Sequence, residues 1–578
     1  MRLNTVKSPN ATSYYVIKDI EKDGKRSTRV VEKLGTREDL LTKCSDQDPI
    51  DWAKAYIEDL NRQEKEGQFE YVAKYSSAKQ LVKGQQRQFK GGYLFLQSLY
   101  HQLGLRKICQ KIEKDCKITY DLSDLLNLLT TTRILFPSSK RSSLACAQEY
   151  LEKPDVALHQ IYRALELLAR KSDYLQAELY KNSKKLVKRN DKILYYDCTN
   201  YYFEIEAEEG LKEFGKGKEH RPNPIVQMGL FMDADGLPLA FRLFNGGDNE
   251  QPSLKPLEEK ILQDFKLSQF IVCTDAGLAS HDNRLFNNED ERAYIVTQSL
   301  KILKKHLQDW ALDPRDWKLK HSAKLYNLAE IDPNEQAEQD NTYYKSRWIK
   351  ENGLEQQLIV TFSPKYLLYQ QDIRNKQVER AKEKVAKPAA LNKKGVNDPS
   401  RFVKRLTVTQ DGELAKQDIY YLDEGVIAKE ARFDGFYAVC TNLEDDPLSI
   451  IAVNKGRWEI ENCFRIMKSE LKARPVFLKR DDRISAHFLT CFIALLTYRL
   501  LTKRIRQHLP DENPSGEMIV RTLREMDFLE KDGDGYIPTY TRTDITDALH
   551  DEFGFRTDLE FVPKKEIQKI VRMTKAEK

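Results

Sequence analysis

Two aspartates follow short apolar runs, Asp197 after Ile193-Leu194-Tyr195-Tyr196 and Asp275 after Ile271-Val272-Cys273-Thr274. Runs of this kind, bounded by turn residues, read as buried strands. The ends of neighbouring central strands lie side by side, so the two carboxylates can come within bridging distance of a metal ion. Hard oxygen donors suit Mg²⁺ or Mn²⁺, which bind through few carboxylates and keep room for water and substrate phosphate. A lone aspartate at a strand end more often bonds its own backbone in a turn; two on matching strands weaken that alternative without removing it. A third carboxylate lies in the stretch Asn454–Phe477. There Ile460, Phe464, Met467 and Leu471 form one apolar helical stripe, and Arg457, Glu461 and Lys468 form a second. A glutamate between two cations could hold a metal ion while the cations meet phosphate. The same spacing also describes an ordinary ion pair on a solvated helix face.

The elements that must position these groups follow from pattern. Residues 193–205 read as a strand, and two more strands flank the turn Ala234-Asp235-Gly236. Residues 245–253 break the sheet and lead into a helix over 254–265. A strand ends at Asp275, a helical stretch covers 283–291, and a strand covers 293–300. The order strand, strand, strand, helix, strand, helix, strand predicts antiparallel hairpins feeding parallel crossovers, hence an α/β fold with a mixed sheet flanked by helices. Residues 301–440 read as a β-rich insertion that leaves this sheet. It carries a long helix over about 364–387, and a further helix is expected over Ile450–Leu471. Ahead of the sheet, residues 14–35 read as a hairpin around Asp23-Gly24, residues 51–66 as a helix, and residues 92–187 as almost wholly helical. The expected divisions are 1–90, a helical domain at 91–190 that could bind DNA or simply pack, a catalytic domain split between 191–300 and 441–502 by the insertion at 301–440, and a C-terminal region at 503–578.

Composition bounds the function. The 578 residues, 40% apolar and 32% charged, suit a soluble chain of several globular units. Nine scattered cysteines with no C-x-x-C pair argue against a disulfide framework or zinc ribbon and favour a reducing cytoplasm. No signal-like segment opens the chain, and the apolar stretch His487–Leu500 is shorter than the roughly 20 residues that span a bilayer. No membrane role is expected. Of the net charge of +6, the window Arg374–Arg405 alone supplies +8 (11 basic minus 3 acidic), so the rest is slightly acidic. Local basic charge suits a nucleic-acid contact surface, and equally a solvated helix with a linker. Lys376, Arg380, Lys384, Lys393 and Lys394 are its candidate DNA contacts. No phosphate-binding loop, nucleophile elbow or H-E-x-x-H motif is present.

Arg457, Glu461 and Lys468 spell R-x3-E-x6-K, which resembles the Y-x2-R-x3-E-x6-K signature around the catalytic glutamate of insertion-sequence DDE transposases. Asn454 stands where that family usually has tyrosine. The stretches GKGKEHRP, FNGGDNE, TDAG and RWEIENCFRIMK also look like this family, and the likeness spans about residues 190–500. It implies a ribonuclease-H-like catalytic domain interrupted by a β-rich insertion and preceded by an α-helical domain. Asp197, Asp275 and Glu461 would be both the catalytic triad and the ligands of two Mg²⁺ (or Mn²⁺) ions about 3.5–4 Å apart. One ion would activate water to nick the element's end, and the released 3′-hydroxyl would then attack target DNA. Arg457 and Lys468 would meet phosphates, with His220 and Arg221 as further contacts or plain surface-loop residues. The implied partners are double-stranded DNA, as terminal inverted repeats and target, and a second copy of the chain in the synaptic complex. The implied location is cytoplasmic and nucleoid-associated. A ribonuclease-H-like nuclease that only hydrolyses, and an inactive DNA-binding regulator, are the other readings.

Overall fold

A computed structural model describes the whole chain except residues 9–10, 23–24, 45–47, 67–76, 79, 219–220, 290–291, 387–397, 408–417, 532–533 and 577–578. It divides into two compact units. The first contains Met1–Ser172, Glu470–Lys472 and Ser485–Lys578; the second contains Asp173–Ser469 and Ala473–Ile484.

In the first unit, Ala11–Lys22 and Lys25–Thr36 pair as the expected hairpin, and a third strand, Arg2–Ser8, joins its outer side. Helices run from Tyr93–Gln102 to Leu158–Arg170. The apolar stretch at His487–Leu500 belongs to a helix of 28 residues, Asp481–His508, twice as long as the stretch itself. Its length and composition would span a membrane, but 89% of its most apolar window is buried inside the protein, as a core helix requires. The C-terminal region is built into this unit. Strands Asp527–Lys531, Gly535–Pro538 and Val562–Pro563 share a sheet with Gln88–Lys90, and Gln97 Nε2 donates to Thr574 Oγ1 at 2.8 Å in a buried contact.

The second unit is organised by nine strands: β1 (Ile193–Tyr202), β2 (Ile225–Asp233), β3 (Pro238–Asn245), β4 (Ile271–Thr274), β5 (Ala293–Thr297), β6 (Lys318–Leu319), β7 (Tyr343–Glu351), β8 (Leu354–Phe362) and β9 (Phe436–Thr441). They lie in the order β6-β7-β8-β9-β5-β4-β1-β2-β3. The hairpins β1–β2 and β2–β3 are antiparallel, whereas β4 pairs in parallel with both β1 and β5. This is the mixed α/β sheet flanked by helices that the strand order predicts. One expectation is corrected. Residues 301–440 do not leave the sheet, because β9 pairs antiparallel with β5, and β8, β7 and β6 follow outward. Only Val403–Thr407 and Asp418–Leu422 form a sheet of their own. A parallel edge at β5 would leave backbone groups unpaired, and β9 covers it.

The helices concerned are α1 (Ser172–Leu186), α2 (Leu254–Asp264), α3 (Pro364–Ala386), α4 (Pro447–Lys455) and α5 (Trp458–Arg465). One face of β1 buries Leu194, Tyr196 and Cys198 against Leu254, Leu257 and Ile261 of α2 and Ala177 and Tyr180 of α1. The β2–β3 turn is locked from the same side. Asp233 accepts from the N–H groups of Asp235 and Leu237 at 3.1 and 2.9 Å, and Gly236 supplies the positive φ of 74° that the turn requires. Arg189 Nε donates to Asp233 Oδ2 at 2.6 Å with both side chains wholly buried. Its remaining donors reach Ser183 Oγ and the carbonyls of Leu237 and Pro238 at 2.8–3.0 Å. A buried pair of this kind is strongly destabilising to break, because one charge is left uncompensated. Arg189→Ala should therefore cost about 3–5 kcal/mol, read as a lowered urea midpoint. An unchanged midpoint would show that Asp233 finds another partner.

Candidate active site

Alternation along β1 separates its two faces. With Tyr196 and Cys198 in the core, Tyr195, Asp197, Thr199 and Tyr201 point to the opposite face. That face is covered by α4, α5 and the π-helical turn Ile466–Glu470. Tyr195 Oη donates to the Val453 carbonyl at 2.8 Å, Lys468 Nζ donates to Thr199 Oγ1 at 2.7 Å, and Tyr201 Oη donates to Met467 Sδ at 3.6 Å. The continuous helix expected over Ile450–Leu471 is therefore three pieces. Gly456 sits at the first junction because a Cβ there would lie 2.1 Å from Tyr195 Oη. The π turn at the second carries Lys468 toward β1.

Asp275 reaches the same face through register. Ile193, Leu194 and Tyr195 lie opposite Ile271, Val272 and Cys273, a constant offset of 78 residues (271 minus 193) that equals the spacing of Asp275 from Asp197. Cys273 Sγ donates to Asn454 Oδ1 of α4 at 3.4 Å, which places Cys273 on the α4 side, and Asp275 two residues on is close enough to act on Asp197 electrostatically. One oxygen of Asp275 caps the 3₁₀ turn Ala276–Leu278, accepting from Leu278 N at 3.1 Å, so the turn role and the shared face occur together. Asn454, in place of the family's usual tyrosine, donates to Tyr437 Oη at 2.7 Å. Tyr437 Oη meets Thr297 Oγ1 at 2.7 Å, and Thr297 accepts from Arg457 at 3.0 Å.

A cavity of about 400 Å³ opens over this face, with Asp197, Thr199, Lys218, Glu461, Lys468 and Arg474 among its lining. Asp197 is 9% exposed. Burial pushes its carboxyl up to about 6, with Asp275 adding to the rise while Lys218 and Arg457 oppose it. Burial and the neighbouring Lys218 hold the Lys468 ammonium down, to about 8, with Asp197 in partial compensation. Two aspartates that repel one another in a buried site fit a divalent cation. Among the described residues, however, no three Asp, Glu, His or Cys side chains stand close enough together to hold a metal ion.

The expected site residues therefore divide. Asp197, Glu461 and Lys468 share the cavity wall, and Asp275 is coupled to Asp197 from the neighbouring strand. Arg457 turns away to Thr297 on β5; among the described residues it forms no ion pair with Glu461, and neither does Lys468. Arg221 is exposed and lies over the Tyr202 ring at 4.4 Å. Lys376 pairs with Asp372 at 2.7 Å, Lys384 pairs with Asp398 at 2.7 Å, and Arg380 is exposed. Arg374 pairs with Asp434, Lys382 with Glu379 and Arg401 with Glu430. Much of the basic window is thus neutralised by carboxylates within its own unit. His220, Lys393 and Lys394 lie outside the described residues. Lys218, Thr199 and Arg474 were not anticipated. Lys218 does lie in the GKGKEHRP stretch, and Arg474 directly precedes Pro475 beyond the signature lysine.

No protein-family model matches the chain, and no curated protein matches it. Among solved structures, it is similar to the piggyBac transposase of a cryo-EM synaptic complex with hairpin DNA, at a TM-score of 0.36 and 7% identity over 85% of this chain and 88% of that one.

The raised carboxyl of Asp197 gives a pH dependence. The folded state holds the proton more tightly than the unfolded chain, so the stability linked to this group is complete below about pH 3.8 and is lost as pH rises through about 6. Asp197→Asn, which keeps an acceptor for the Cys198 N–H, should raise the melting temperature at pH 8 and leave it nearly unchanged at pH 4. An equal change at both pH values would contradict the burial penalty.

Proposed function

We propose that the chain is a DNA transposase of the insertion-sequence type, which cleaves the ends of its element and joins the 3′-hydroxyl to target DNA. The observation that supports this reading best is that β1 and β4 pair in parallel with the offset that separates Asp197 from Asp275, which directly follows β4 and acts on Asp197 electrostatically, while Asp197 lines a cavity together with Glu461 and Lys468. Asp197 and Asp275 would hold Mg²⁺ or Mn²⁺, with Glu461 on the wall of the same cavity as the candidate third ligand, although the three carboxylates do not stand close enough together to form one cluster. When bound, the metal would supply the Lewis acidity that makes water or a 3′-hydroxyl a nucleophile and offsets charge on the leaving oxygen. Lys468, steadied by Thr199, would bind a phosphate oxygen beside the reacting bond. Arg457, anchored on Thr297, adds positive potential near Asp197 and keeps that carboxylate available as a ligand. No serine or tyrosine nucleophile enters the scheme. The proposed partner is double-stranded DNA, as element ends and target, in a synaptic complex of two copies, in the cytoplasm at the nucleoid. Arg380 and Lys404 are exposed charges of the basic window that would meet its backbone.

The test is cleavage and strand transfer on labelled DNA taken from the flanks of the gene, with Mg²⁺, comparing wild type with Asp197→Ala and Glu461→Gln. Nicked and joined products are expected from wild type, with each variant slower by on the order of 100-fold or more. Cleavage without joining would mean a hydrolytic nuclease. Specific binding without cleavage would mean a regulator, and full activity in Asp197→Ala would remove the carboxylate assignment. Metal binding has its own readout. Mg²⁺ should raise the melting temperature of wild type, by up to about 2.7 kcal/mol of stability at a hundredfold excess over Kd, and should not do so for Asp275→Asn.

A further inference from the structure

Two lysines from distant stretches are tied to consecutive residues of β1. Lys218 Nζ donates to the Cys198 carbonyl at 2.6 Å, and Lys468 Nζ donates to Thr199 Oγ1 at 2.7 Å. Both line the same cavity. Among the described residues neither makes an ion pair with a carboxylate. Each ammonium has three N–H donors, so two apiece remain for a ligand. Like charges held side by side repel, and an anion between them removes that cost. The cavity's charge points the same way: Lys218, Arg465, Lys468 and Arg474 against Asp197 and Glu461 leave +2 (4 minus 2). Arg474 also lies 5.7 Å from the Tyr202 ring, over which Arg221 stands at 4.4 Å.

We infer that Lys218 and Lys468 form a seat for a DNA phosphodiester, and that Lys218 is a substrate-binding residue. The inference rests on the phosphodiester-transfer reading for the identity of the anion. Lysine ammoniums bind phosphate as point charges from several directions, which suits a backbone that must shift between cleavage and joining. The strand would then run from the carboxylates past the lysine pair toward Arg474, on the same cavity wall.

The test uses the full chain, EDTA to exclude metal, and a fluorescent duplex of mixed sequence titrated over a salt series. Wild type, Lys218→Gln, Lys218→Arg and, as a charge control far from the cavity, Lys181→Gln would be compared. Lys218→Gln should bind more weakly and lower the slope of log K against log salt by about 1. Lys218→Arg and Lys181→Gln should keep the wild-type slope. A second measurement needs no variant: inorganic pyrophosphate should slow acylation of Lys218 by an amine-reactive ester, relative to Lys181, as mapped by mass spectrometry. An unchanged slope in Lys218→Gln, or no protection in wild type, would overturn the seat. Neither readout involves cleavage. A wild type that binds through Lys218 but never cuts DNA would overturn the functional reading and leave the seat standing.

Discussion

The parallel pairing of β1 with β4 is the constraint on which the second unit depends. Side chains alternate along a strand, so a slip of one residue would turn Asp197 into the packed face and bring Tyr196 out of it. The register is held from both sides. Tyr196 and Cys198 are committed to the core beneath α2, where their polar atoms meet Ser253 at 2.7 and 3.1 Å. Tyr195 and Cys273 are tied to α4 above. With those four residues placed, Asp197 and Asp275 have only one face available, and it is the face that α5 covers.

Burying a carboxylate beside another is unfavourable, and the surroundings of Asp197 only partly offset it. Lys218 and Arg457 lower the cost while burial and Asp275 raise it. The outcome is a group poised between charged and neutral, next to lysines that are themselves crowded. Under the proposed function, a cation beside the aspartates and a phosphate beside the lysines would each relieve one of these repulsions. The backbone over the site is also irregular. The break at Gly456 admits the Tyr195 hydroxyl, and the π turn widens the helix where Lys468 must reach Thr199. Irregularities of this kind recur at functional sites because they re-aim a side chain that a regular helix would direct elsewhere.

Local pattern carried much of the architecture. The hairpin around Ala234-Asp235-Gly236, the buried strands ahead of both aspartates and the helix after the NGGDNEQPS break were legible, because turn chemistry and strand periodicity act over a few residues. The sheet beyond β5 was not. Val439 of β9 pairs with Thr297 of β5, 142 residues earlier, and nothing in either segment names the other. The helical stripe of Arg457, Glu461 and Lys468 was legible as spacing, yet spacing says nothing of where long side chains end. Arg457 crosses to β5 and Lys468 to β1, while Glu461 faces the cavity without, among the described residues, an ion pair to either.

The sequence by itself determined the residue types that can do chemistry, the strands that carry Asp197 and Asp275, and the offset of 78 residues between them. Those are properties of short segments, in which apolar runs, glycines and carboxylates state their own preferences. Tertiary structure decided that the offset is also a strand register, that much of the basic window is paired within its own unit, and that Lys218 stands with Lys468 over β1. A charge a long way off in sequence contributes nothing to local pattern. Its role is set by which strand it reaches and by what burial there does to it, and only the folded chain specifies both.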